Sequence, residues 1–140
     1  MKTVVSIPTH RGRVLPGPFV QRFGTIWTVR GFLLLQIAIL VSMVSIHFGL
    51  LINGYDHRAA GTTELIIAAV LLAALLLTWM PAPWSRRPAT AAQSFGILGV
   101  LGGLLTIATG IGPRTTLDLT LNAAVLLTLI AGLAITLRKP

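Results

Sequence analysis

Residues 31–61 read GFLLLQIAILVSMVSIHFGLLINGYDHRAAG: a long apolar run that admits Gln36 and one histidine, His47, before it breaks into a short polar loop. A helix that crosses about 30 Å of hydrocarbon at about 1.5 Å per residue needs roughly 20 mostly apolar residues. Residues 32–53 meet that requirement, and the rest of the chain follows the same pattern. Three further apolar segments, 64–80, 95–111 and 116–137, are separated only by short polar connections. The expected fold is all-α and integral to a membrane: an antiparallel four-helix transmembrane bundle over residues 31–140, preceded by an N-terminal segment, residues 1–30.

The composition agrees with this reading. Of 140 residues, 54% are hydrophobic and only 10% are charged, whereas in soluble domains about a quarter are charged. In a soluble protein the net charge of +8 would suggest nucleic acid as a partner. Its distribution points instead to the lipid bilayer. Lys2, Arg11, Arg13, Arg22, Arg30, Arg86, Arg87, Arg138 and Lys139 fall on one side of the four spans, and only Arg58 and Arg114 on the other. Positive residues accumulate on the cytoplasmic side, so both termini are expected in the cytoplasm of a bacterium, with the spans in its inner membrane. No nucleic acid is expected as a partner. The N-terminal residues lack the apolar stretch of a secretory signal.

From Pro18, the residues Phe19, Val20, Phe23, Ile26 and Trp27 recur on one helical face, which predicts a short amphipathic helix over 18–28 on the cytoplasmic surface. The same residues are compatible with an inward extension of the first span. All three tryptophans, Trp27, Trp79 and Trp84, fall at the cytoplasmic interface, as in an aromatic belt.

Within the first span, Gln36, Leu40, Met43, His47 and Leu50 share a face. Asn53-Gly54 signals a tight external turn, followed by Tyr55, Asp56, His57 and Arg58. Glu64 falls in the first turn of the second span as its bounds are read from hydropathy, where the helix dipole favours an acid. Ala69 and Ala73 offer a close helix contact. The third span is dense in glycine, and Gly99 and Gly103 form a GxxxG suited to helix packing. Thr90 with Gln93, and Thr115 with Asp118, have capping-box spacing. Asp118 and Asn122 lie one turn apart on one face of the last span.

On this topology His47, His57, Glu64, Asp118 and Asn122 gather at the external end. Ionisable groups within spans are costly and mark functional sites with a partner, so His47 is expected to pair with Glu64 or Asp118. The alternative is structural: each acid caps a helix, and one histidine is satisfied by a neighbouring helix. His47, His57, Glu64 and Asp118 could also supply an exposed zinc site, although such sites usually draw on cysteine and the chain has none. A haem held between two imidazoles would need a second intramembrane histidine, which no other span carries. A small four-span exporter would be expected to carry a carboxylate in the middle of its first span, and this chain has none there. No serine–histidine–acid set, phosphate loop or HExxH appears, so no independent catalytic activity is expected.

Two functions are compatible with these features. The first is an accessory or structural subunit of a membrane complex, or a homo-oligomer, acting through helix packing with other membrane subunits or itself. The second is binding or transfer of a proton, a metal or a quinone-like ligand at the external cluster around His47.

Overall fold

The computed structural model describes residues 18–80, 86–112 and 114–138. They form four helices: α1 (Pro18–His47), α2 (Arg58–Leu77), α3 (Arg86–Thr109) and α4 (Thr116–Leu137). All four are long and apolar enough to cross a membrane. α1 and α3 each pack against both α2 and α4, and barely touch each other across the core. That core is built from Val29, Leu33 and Leu40 of α1, Ile67 and Leu71 of α2, Val100 of α3, and Val125 and Leu129 of α4. The outward faces carry exposed Leu34, Leu72, Leu98 and Leu127. A soluble protein would bury such surface; a hydrocarbon solvent tolerates it.

The helix ends differ from those read from hydropathy. α1 is unbroken from Pro18 to His47, and the part of it long and apolar enough to cross a membrane is Ile26–His47. The side chains that would make the segment amphipathic, residues 18–25, lie outside the described ones, as do residues 1–17 and Trp84. At its other end α1 stops at His47, six residues short of Asn53. The cause is Gly49, whose φ of +71° closes a Schellman turn: Gly49 N–H donates to the Ile46 carbonyl and Leu50 N–H to that of Ser45, both at 2.9 Å. Leu50 therefore leaves the face it would share with His47 and is exposed. Gly110 ends α3 in the same way.

α2 begins at Arg58, six residues earlier than expected, which moves Glu64 out of the first turn and removes its role as a dipole cap. Its inward alanines are Ala68 and Ala74; Ala69 and Ala73 face outward. α3 begins at Arg86, so Thr90 is not a cap: its hydroxyl donates to the Arg86 carbonyl within the helix, and Gln93 is buried. The Thr115–Asp118 capping box is present at the start of α4.

Polar ties between helices concentrate at both ends and at one internal level. Arg30 donates to the Thr78 hydroxyl and carbonyl at the end of α2, with its guanidinium 4.0 Å from the Trp79 ring and 5.0 Å from that of Trp27. Gln36 donates to the Thr128 carbonyl of α4, and Thr136 of α4 donates to Gln93 of α3. Gly132 leaves the room these amides need. A Cβ there would stand 2.6 Å from Gln36 Nε2 and 2.7 Å from Gln93 Nε2.

Candidate functional site

The C-terminal end of α1 meets the N-terminal halves of α2 and α4, and there the ionisable residues converge. His47 Nδ1 lies 2.7 Å from Glu64 Oε2, and Nε2 lies 3.0 Å from Asp118 Oδ1. The expected pairing of His47 with one acid or the other is thus replaced by both at once. His47 and Asp118 are almost wholly buried, and Glu64 is 9% exposed. Close approach of α1 to α2 depends on Gly61, where a Cβ would sit 3.1 Å from His47 Cβ and 3.3 Å from Phe48 Cε2.

Asp118 is held from several directions. Its Oδ2 accepts from the hydroxyls of Tyr55 and Thr115 and from the Thr115 amide, while its own N–H donates to Thr115 Oγ1. Asn122, the next turn along α4, donates to the Asp118 carbonyl at 2.9 Å.

Tyr55 carries no expectation from sequence beyond membership of the loop, yet it is part of the site. The loop returns across the end of α1 through a bridge between Phe48 and Asp56 and a 2.9 Å bond from His57 N–H to the His47 carbonyl. This lays the Tyr55 ring over that of His47, with centroids 5.9 Å apart and planes inclined by 23°. Burial and the Asp118 carboxylate, which accepts the phenolic proton, raise the Tyr55 pKa above its ordinary value. Its position could have been suspected from the turn at Gly54, which folds the loop back, but its partner on α4 is remote in sequence.

His57 is exposed, with its ring edge-on to His47 and Tyr55 at 6.2 and 5.1 Å. Beside these groups lies a partly open cavity of about 570 Å³. Its polar end includes His47, His57, Glu64, Asp118 and Asn122; its apolar wall includes Leu40, Met43, Ile67 and Val100. The glycines of α3 divide in role. Gly99 packs against Ile67 of α2, where an added Cβ would meet Ile67 Cδ1 at 2.6 Å, and Gly103 lines the cavity with only Asn122 Oδ1 near its Cβ position, at 3.9 Å.

The proton content of the cluster follows from its contacts. Two short contacts between ring nitrogens and carboxylate oxygens need two bridging protons, since otherwise lone pairs oppose each other. Either both protons sit on the imidazole between two carboxylates, or one sits on the imidazole and one on an acid. The three groups carry a net charge of minus one in both arrangements.

Both ring nitrogens of His47 are engaged by acids, and among the described residues no three His, Cys, Asp or Glu side chains are arranged to share a metal ion. Comparison with protein-family models, curated proteins and solved structures finds no match for this chain.

Proposed function

We propose that this chain is an antiparallel four-helix transmembrane bundle of a bacterial inner membrane, with both termini cytoplasmic, that binds a small ligand in the cavity beside His47 and exchanges a proton with it. The single observation behind this reading is the buried Glu64–His47–Asp118 cluster opening onto a cavity of about 570 Å³, within the range of about 300–1,000 Å³ usual for small-molecule sites. A purely structural histidine needs one partner and no cavity. Leu33, Leu40 and Met43, all essentially inaccessible, seal α1 on the other side of the cluster, which favours binding and release from one face over passage through the bundle.

The test compares wild type with Glu64→Gln, both purified into nanodiscs from their own membrane and matched in helicity. A small molecule retained by wild type and missing from the variant is the expected result. Identical extracts, each empty, would refute ligand binding.

The second reading, a subunit or homo-oligomer working through helix packing, draws support from the exposed face of α3. Leu98, Leu101 and Leu105 project there, and Gly102 has no neighbour within 4 Å of its Cβ position. Native mass spectrometry of the same sample separates the readings: a defined oligomer or a co-purifying subunit with an empty cavity favours packing.

A further inference from the structure

Resting on the ligand-binding reading, we infer that the cavity selects an organic ammonium, a compact apolar body bearing a protonated amine, over alcohols, quinones and anions. Two unpartnered acceptors carry the argument. Glu64 bonds His47 through Oε2 alone, leaving Oε1 without a partner among the described residues. Asn122 uses its amide nitrogen on the Asp118 carbonyl, leaving Oδ1 likewise without one. Glu64 is 9% and Asn122 8% exposed, and both line the cavity. Both oxygens are accessible on residues that line the cavity, so the occupant that uses them is one that donates at least two hydrogen bonds.

Charge points the same way. The Glu64–His47–Asp118 cluster carries one negative charge wherever its two bridging protons sit, and neighbouring cations are committed elsewhere. Arg58 at the rim pairs with Asp56 at 3.3 Å. Arg114 donates to the Ile107 and Ala108 carbonyls at the end of α3. His57 supplies an aromatic edge at the mouth. An ammonium meets both acceptors and offsets the charge. An alcohol donates once and offsets nothing, a quinone brings only acceptors, and a carboxylate or phosphate adds to the negative charge. The apolar wall of Leu40, Met43, Ile67 and Val100 receives the body of the ligand.

Three compounds with one cage and different heads provide the test: 1-adamantylamine, 1-adamantanol and 1-adamantanecarboxylate, each titrated at pH 7.5 into the nanodisc-embedded protein and followed by thermal shift and native mass spectrometry. The amine is expected to bind at least tenfold more tightly than the alcohol, and the carboxylate not at all. Glu64→Gln should weaken the amine at least tenfold and the alcohol less than twofold. Gly103→Leu, which fills the cavity, should abolish amine binding. If that variant does not fold, the smaller Gly103→Val replaces it, since the nearest atom to its Cβ position is Asn122 Oδ1 at 3.9 Å.

Equal binding of amine and alcohol, both lost on filling the cavity, would overturn the ammonium assignment and leave the cavity as a ligand site. Binding of the probes that survives filling in a folded variant would overturn the cavity reading itself. Failure of every probe to bind wild type would overturn the assignment.

Discussion

His47 Nδ1 stands 2.7 Å from Glu64 Oε2 although the two residues belong to different helices and are separated by the whole loop between α1 and α2. The contact closes the α1–α2 end of the molecule, and Asp118 closes the α1–α4 side through the other ring nitrogen. Replacing His47 by Ala leaves two buried carboxylates facing a void, and the expected loss is about 3 kcal/mol. His47→Gln, which keeps hydrogen-bonding capacity, should lose less. Thermal unfolding of both variants in nanodiscs checks the order; equal stability of wild type and His47→Ala would show that the cluster contributes nothing to the fold.

Tyr55 is the only tyrosine in the chain, so its ionisation can be followed by the phenolate absorbance alone. Burial, and donation to Asp118, hold the folded pKa above the ordinary value of about 10. The sign follows from proton binding: the folded state holds this proton more tightly than the unfolded state, so the stabilisation is complete below about pH 10 and is lost as pH rises through the folded pKa. A titration midpoint above that of the urea-unfolded protein is expected. Tyr55→Phe should remove the extra alkaline sensitivity of unfolding and cost about 1 kcal/mol at neutral pH.

Four glycines of this chain separate close approach from empty space. At Gly61 a methyl would press on His47 Cβ and the Phe48 ring, and at Gly132 on both buried amides. Each alanine substitution there should destabilise by about 1–3 kcal/mol. At Gly99 the obstacle is the flexible end of Ile67, and a smaller loss is expected. Gly102→Ala meets nothing within 4 Å and should gain up to about 1 kcal/mol from helix propensity. Melting temperatures of the four variants test this ranking.

Arg30 ties α1 to the end of α2 by bonding Thr78 while its guanidinium lies against Trp27 and Trp79, themselves edge-to-face at 5.7 Å. Lysine cannot reproduce a forked donor that also stacks on rings. Arg30→Lys should therefore shift the tryptophan emission and cost about 1 kcal/mol, whereas an unchanged spectrum would mean that the stacked arrangement does not persist in the membrane.

The four apolar segments, the interior position of His47 and Gln36, and the capping box at Thr115 are all legible in the chain. Each depends on local composition or on spacing within one helix, and the solvent acts on those directly. The helix limits were partly legible as well. Gly49 marks the end of α1, but the apolar residues Leu50, Leu51 and Ile52 that follow it mask the stop in a reading based on hydropathy.

Other features arise only when the helices are set side by side. Which acid meets His47 depends on the rotation of α2 and α4 about their own axes, which the packing of Gly61, Leu71 and Leu129 determines and no single segment encodes. The same holds for Tyr55 against Asp118, for the split roles of Gly99 and Gly103, and for the cavity. Each is a relation between surfaces distant in sequence, created when side chains of different helices compete for one volume.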